Sequence, residues 1–429
     1  MKSKPTSTRR TFISSASLTA TQAAILAAPP VHVAGDDTVK IGLIGCGSRG
    51  TGAAAQVLNA HPSVRLVALA DIFEDHLAKC RSRLRAHKPE QVLVTERKGG
   101  FVGFDAYRKV IEASDAVLIA CASRFHPLYL SEAVKAGKHV FVEKPHAIDP
   151  PGIRMVLKAC EEAKRRKLSV VSGLHRRYSP AIRQTMEKIH EGAIGRIVAC
   201  EVSFMRAPYR IIERNPAWSE IEWQFRTWYH FNWLSGDDVP QSLVHTIDTA
   251  LWALGELEPA ACHALGGRSA SFGMKFGNVF DHNAVVYEFP TGARLYGLNR
   301  TQYNCYGEVT FLLMGTKGRA GAGWIDGETK WRYRGPRVNP YQIEQNEFIR
   351  SIRSGKPINN GDYMARSTLV AIMGQMASYC GKKLTWKQVN NSKFSYPPKG
   401  RIDFTIDPPV KPGPGGLYPV AVPGVTKPE

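Results

Sequence analysis

The chain has 429 residues and a mass of 47.4 kDa, with 43% apolar and 22% charged residues, so wholesale disorder and a fibrous chain are excluded and two or three domains are expected. Lys plus Arg number 57 against 37 for Asp plus Glu, a balance of +20 that is spread along the chain with no block of five like charges; this indicates a general preference for anionic ligands and excludes a nucleic-acid-binding stripe. No apolar run is long enough to span a membrane.

The amino end reads as an address. Ser7-Thr-Arg9-Arg10-Thr-Phe12 is followed by a mildly apolar stretch, Ile13 to Ala28, and the first acid is Asp36. A basic start, an apolar middle and no acids form an export-signal pattern. The Arg pair followed by Phe resembles a twin-arginine signal, which implies export of the folded protein to the periplasm. Residues 1–35 are therefore set aside from fold reasoning.

Residues 36–172 read as a nucleotide-binding α/β domain. The run Val39 to Ile44 predicts a strand. It leads straight into Gly45-Cys-Gly47-Ser48-Arg49-Gly50, and a helix pattern follows from Gly52 to Ala60. Val64 to Ala70 predicts a second buried strand, ending in Asp71. Strand, Gly-x-Gly-x-x-Gly, helix and a carboxylate at the next strand end together define a dinucleotide site. Gly45 permits the tight turn, Gly47 admits the pyrophosphate to the backbone, and Gly50 lets helix and strand approach. Ser48 and Arg49 open the helix whose N-terminus receives the phosphates. Asp71 is expected to accept from the adenosine ribose hydroxyls. A 2′-phosphate would meet its charge, so NAD is favoured over NADP; Arg49 is assigned a general anion contact. The alternation continues with helices at 105–113, 127–136 and 151–166 and strands at 116–121, 139–142 and 168–172, which predicts a doubly wound parallel sheet. Residues 87–104 are expected to form a loop near the cofactor edge.

The strand His139-Val-Phe-Val142 ends in Glu143-Lys144-Pro145, preceded by Ala136-Gly-Lys and by Ala120-Cys-Ala-Ser123-Arg-Phe-His126-Pro. With the glycine loop upstream, this resembles the Gfo/Idh/MocA oxidoreductases over about residues 38–390. The resemblance implies a Rossmann domain and then an α+β domain with a large open-faced, mostly antiparallel sheet, whose free face makes dimers or tetramers. It implies a sugar-type substrate between the domains and nicotinamide beside Lys144, with Glu143 facing the nicotinamide ribose and Ser123 and His126 on the cofactor side. Oxidising a secondary alcohol requires a proton acceptor at the same oxygen, and a partly desolvated lysine beside a cationic ring can serve. Lys144 is the expected acid/base. Where the family often has Thr-Pro-Asn, this chain has Cys121-Ala122-Ser123.

Residues 173–392 are read as the substrate and oligomerisation domain. Gly173-Leu-His-Arg176-Arg-Tyr178 matches an Arg/aromatic stretch that the family places near its active site, so Arg176 and Tyr178 are substrate candidates. Trp218, Trp223, Trp228 and Trp233 recur at five-residue spacing, which fits neither helix nor strand. An irregular segment with sugar-stacking rings is expected, Trp228 and Tyr229 foremost. A helix from about Pro240 would align Gln241, His245 and Asp248 on one side, opposite a buried stripe of Leu243, Ile247, Leu251 and Leu254. The family has Asp-xxx-His here. His245 matches and is assigned to the substrate hydroxyl; Gln241 replaces the acid, and Asp248 joins the substrate list. Strands are expected near 259–265, 282–289, 293–300 and 306–314, and helices near 341–354 and 363–380. Residues 393–429 hold nine of the 27 prolines and predict an extended arm on this subunit or a neighbour. The eight cysteines form no metal-binding spacing; no metal site is expected, and they read as buried free thiols.

The leading reading is an exported NAD-dependent oxidoreductase holding its cofactor tightly and acting on a sugar hydroxyl. Two alternatives stay open: a redox-neutral NAD-dependent glycosidase or epimerase, and a sensor that keeps NAD without chemistry.

Overall fold

The computed structural model describes residues 37–427, so the predicted export signal at 1–35 lies outside the described residues. Strands β1 (Val39–Ile44), β2 (Val64–Asp71), β3 (Gly100–Val102), β4 (Ala116–Ile119), β5 (His139–Val142) and β6 (Val170–Ser172) form one sheet. Their order is β3-β2-β1-β4-β5-β6, and every pairing is parallel. Helices cover both faces, which is why β4 is apolar at every position, β5 at all but His139, and both are buried throughout. This is the predicted doubly wound sheet. Two elements were not read from the sequence. The helix Glu74–His87 buries only Leu77, Cys80 and Leu84 and, Ala78 and Ala86 aside, is otherwise polar. The expected loop at 87–104 contains β3, whose three residues are no more than half buried and carry no pattern of their own.

The second sheet has nine strands: β7 (Ile197–Arg206), β8 (Ala261–Gly267), β9 (His282–Glu288), β10 (Arg294–Thr301), β11 (Glu308–Gly315), β12 (Gly318–Gly321), β13 (Trp324–Gly327), β14 (Trp331–Arg332) and β15 (Leu384–Thr385). The order is β14-β13-β12-β11-β7-β10-β9-β8-β15, antiparallel except where β7 runs parallel to β10. The long helices Val244–Ala253 and Gly361–Cys380 supply much of the core behind one face. The other face leaves Val198, Leu265, Tyr296 and Leu298 exposed, Leu265 by 78%.

The helix predicted from Pro240 begins as a π-helical turn, Val239–Leu243, and continues as the α-helix Val244–Ala253. Every residue from Val239 to Leu251 is buried. The expected split into a polar side and an apolar stripe is therefore replaced by burial all round, because the helix is packed into the core on every side. The tryptophan segment folds into short pieces, Glu220–Arg226, Trp228–His230 and Asn232–Ser235. Trp223 and Trp233 are buried, and the Trp233 indole donates to Gln224 Oε1 at 2.7 Å.

The proline-rich arm lies on its own chain. Tyr396 and Tyr418 are buried in the same apolar cluster as Trp223 and Trp233. Phe404 reaches the nucleotide domain and stacks on Phe73 at 5.5 Å and edge-on to Phe104 at 4.9 Å. Arg124 donates to the Pro397 carbonyl at 3.1 Å and the Trp233 carbonyl at 3.2 Å, tying arm, loop and second domain together. Among the described residues, no helix is long and apolar enough to cross a membrane.

Candidate active site

A cleft of about 580 Å³ runs along the carboxyl ends of β1, β2 and β4. Its floor is the glycine loop. Gly45 has φ +98°, and a Cβ there would lie 2.6 Å from the Ala120 and Cys121 backbone. A Cβ on Gly50 would fall 1.9 Å from the Gly45 carbonyl oxygen, so this residue closes the loop on itself. Gly47 differs: a Cβ there would meet nothing within 4 Å, because the loop faces open cleft. Asp71 accepts from Cys46 N at 2.7 Å and Phe73 N at 2.9 Å, one bond to each oxygen. The carboxylate is thereby pinned at the cleft wall with lone pairs left for two hydroxyls. Loop, helix N-terminus beginning at Ser48 and pinned acid fit a dinucleotide with unmodified ribose. Trp228, Tyr229 and Tyr209 roof the same cleft. They form a column, Trp228 on Tyr229 at 3.7 Å, Tyr229 on Tyr209 at 3.8 Å, and the Arg206 guanidinium 3.7 Å over Tyr209.

Strand β5 delivers Glu143 and Lys144 to the junction of the two domains. Lys144 Nζ donates to the Gln241 backbone carbonyl at 2.6 Å. His245 stands on the helix that follows, with its ring 4.7 Å from His175 and 6.2 Å from Phe204. His175 stacks on Tyr341 at 4.0 Å. In both histidines Nδ1 is buried without a hydrogen-bond partner. Burial, then the charges of Arg176, Lys144 and Arg49, pushes His175 down to about 3. Burial and the neighbouring His175 and Lys144 push His245 well below its usual value. Both rings are therefore neutral at ordinary pH and present a nitrogen that a hydroxyl can meet.

Arg49 lines the cleft; its Nε pairs with Glu143 Oε1 at 3.0 Å and its guanidinium lies 4.7 Å over Tyr341. Several residues assigned from sequence are placed elsewhere. Glu143 is 4% exposed and faces Arg49, and burial raises its pKa. The Ser123 hydroxyl is buried and accepts from Gln241 Nε2 at 2.7 Å. That carboxamide also donates to the Ser235 carbonyl at 2.6 Å, so Gln241 joins the domains with its side chain and holds Lys144 with its backbone. His126 is buried with its ring nitrogens 2.7 Å from the Pro145 carbonyl and 3.0 Å from that of Cys121, so it braces the loop carrying Lys144 and does not face the cofactor. Tyr178 is buried and donates to Asn360 Oδ1 at 3.0 Å. Asp248 is fully buried and is not a substrate group. It takes Arg177 Nε at 3.0 Å and Nη2 at 2.8 Å, and accepts from Ser367 Oγ at 2.8 Å. Arg176 is half-buried near His245.

His175, Tyr209 and Tyr341 were not singled out from the sequence. His175 lies inside the Gly173–Tyr178 stretch, where Arg176 and Tyr178 drew attention instead. Tyr341 opens the helix Pro340–Arg353, far along the chain, and no local signal marks it.

A nucleotide cleft, a strand-end lysine and a paired-histidine wall on an open sheet define a two-domain, NAD-binding oxidoreductase. The comparisons agree. Residues 39–172 match the NAD-binding Rossmann fold of the GFO/IDH/MocA oxidoreductase family, and residues 182–321 match the GFO/IDH/MocA C-terminal domain. The chain belongs to this family. It is 25% identical over 339 residues to a myo-inositol 2-dehydrogenase of Thermotoga maritima, covering 74% of this chain and 90% of that one. It is 28% identical over 224 residues to the 2,7-anhydro-N-acetylneuraminate hydratase of Escherichia coli, covering 50% of this chain and only 55% of that one. The crystal structure of myo-inositol 2-dehydrogenase from Lactobacillus plantarum shares the fold, with a TM-score of 0.63 at 18% identity over 81% of this chain and 99% of that one.

Proposed function

We propose that the protein oxidises a secondary hydroxyl of a sugar-type substrate, with Lys144 as the proton acceptor. The observation that carries this reading is the Lys144 Nζ held 2.6 Å from the Gln241 carbonyl at the end of β5, beside two buried histidine nitrogens without partners. NAD, when bound along the glycine loop, supplies the acceptor for the hydride leaving the carbinol carbon. Lys144, as the free amine, takes the proton of the same hydroxyl and becomes an ammonium, so the alcohol loses two electrons and becomes a ketone. The neutral His245 orients that hydroxyl through Nδ1. The Gln241 carbonyl aims Lys144, and the Gln241 carboxamide, locked by Ser123 and Ser235, keeps that carbonyl in place. Trp228 ends the column of Tyr209 and Tyr229 at the cleft, and its outer face is a flat apolar surface of the kind sugars stack on. The relatives named for inositol and for an anhydro sugar acid support a polyhydroxylated substrate.

The test is single-turnover reduction of bound NAD across a panel of sugars and cyclitols. Lys144→Ala should lower the rate by roughly 10²–10⁴, the usual worth of a general acid–base group, and keep its NAD. A Lys144→Ala protein that reduces NAD at the parental rate removes the mechanism. We also read the exposed face around Val198, Leu265, Tyr296 and Leu298 as a self-association surface. Sedimentation of the parent as a monomer at micromolar concentration would refute that.

A further inference from the structure

The charges around the proposed reaction site do not balance. Arg49 is paired with Glu143 at 3.0 Å and Arg206 with Asp238 at 2.6 Å. Arg177 is paired with Asp248 at 2.8 Å and Glu256 at 2.7 Å. Lys144, Arg176 and the cleft-lining Arg210 are left, and none has a carboxylate within ion-pair distance among the described residues; of the two arginines, Arg176 is the one whose charge acts on both His175 and His245. Arg176 follows His175 in the chain, and its one hydrogen bond is a long one, Nη2 to the Val309 carbonyl at 3.5 Å. Val309 on β11 pairs with Phe204 on β7, and the Phe204 ring faces His245, so Arg176 lies close to His245, whose pKa its charge helps to lower. Desolvation there pushes the Arg176 guanidinium down to about 10.

The nearby acids do not supply the missing charge. Asp248 is consumed by Arg177 and Ser367. Glu344 is fully buried with neither oxygen bonded, and burial together with Glu143 raises its pKa well above the usual value, which opposes its ionisation. His175 and His245 are neutral. A bound, oxidised nicotinamide would add a further positive charge. A poorly solvated guanidinium without a counter-charge is unfavourable in the free protein and becomes favourable when a ligand brings an anion to its fork of donors.

We propose that the substrate of this site is an anionic sugar whose charged group, a carboxylate of the uronate type, is held by Arg176 with His175 Nδ1 as a second donor. This rests on the reading of the pocket as the site of sugar oxidation, and it specifies which sugars. A neutral sugar leaves Arg176 with hydroxyl acceptors only. A uronate replaces them with a bidentate, charge-assisted contact, which is expected to favour it by about tenfold or more.

The test uses the full chain loaded with NAD. Glucose against glucuronate, galactose against galacturonate, and N-acetylglucosamine against its 6-sulfate and 6-phosphate are titrated calorimetrically into the parent and into Arg176→Gln. Nicotinamide absorbance is followed in parallel. At least one uronate should bind about tenfold tighter than its neutral parent sugar, the gap should shrink as salt is raised, and Arg176→Gln should erase it with NAD content unchanged. A gap that includes the uronates supports the carboxylate assignment; one confined to the sulfate and phosphate esters overturns it. The absence of any Arg176-dependent preference for an anionic sugar overturns the proposal, even if neutral sugars reduce NAD and the oxidoreductase reading stands. Arg176-dependent uronate binding with no NAD reduction by any sugar would leave the anion site and remove the oxidation chemistry.

Discussion

Replacing Arg177 by Met separates the structural from the substrate role of Asp248. Asp248 is fully buried, and Arg177 meets it through Nε at 3.0 Å and Nη2 at 2.8 Å. The guanidinium also lies 3.8 Å over the Tyr363 ring. Methionine fills part of that volume but leaves the carboxylate with Ser367 alone. Breaking one side of a buried ion pair costs about 3–5 kcal/mol, most of it the uncompensated charge. Glu256 loses less, because it is partly exposed and keeps Arg366 at 3.3 Å. The cost should depend on pH in a stated direction. Burial already raises the Asp248 pKa, and Arg177 is the largest opposing influence, so its removal raises the folded-state value further. Below the unfolded carboxyl pKa of about 3.9, both states are protonated and the charge penalty is absent. As pH rises, the unfolded chain ionises first, and the penalty grows until the folded-state pKa is passed. Urea denaturation of parent and variant at pH 5 and pH 8 is the measurement, with m checked for constancy. The variant should be destabilised at both values and more so at pH 8. A loss below about 1 kcal/mol at pH 8, or a larger loss at the lower pH, refutes the assignment. So does a folded variant whose only defect is a weaker apparent affinity for sugar.

The two glycines of the loop should fail in different ways. Gly50→Ala places a Cβ 1.9 Å from the Gly45 carbonyl and should lower the melting temperature as well as NAD binding. Gly47→Ala meets nothing within 4 Å, so its melting temperature without cofactor should match the parent while NAD affinity falls at least tenfold. Asp71→Ala should weaken NAD by roughly 10- to 100-fold in calorimetry, the worth of one or two charge-assisted bonds, and narrow the gap to NADP. Phe404→Ala should loosen the arm from Phe73 and Phe104, costing about 1–2 kcal/mol of aromatic contact; limited proteolysis should then cut residues 399–412 faster.

Local patterns carried the first domain. A glycine loop needs glycine for reasons of a few ångströms of backbone, and a parallel strand buried on both faces must be apolar at nearly every position. Both requirements are therefore written in consecutive residues: Val39 to Gly50, Ala116 to Ile119 and His139 to Lys144 could be read directly. The helix Glu74–His87 escaped because three buried residues in fourteen leave little periodic signal. The ten-residue β7, central to the second sheet, escaped too; its mixed burial pattern blurs the period of two. The side chains of the site depended on partners far apart in the chain. Arg49 meets Glu143 because the nucleotide fold brings the carboxyl ends of β1 and β5, one on each side of β4, to the same edge of the sheet. Gln241 is locked to Ser123 across the domain boundary. Asp248 is taken up by Arg177, from the turn after β6, and by Ser367, from a helix more than a hundred residues further on. His175 and His245 become a pair only when the turn after β6 meets the helix behind the second sheet. A polar residue's sequence states which bonds it is able to make. Which it does make is decided by the group that long-range packing sets within 3 Å of it, and by how little water is left there to compete.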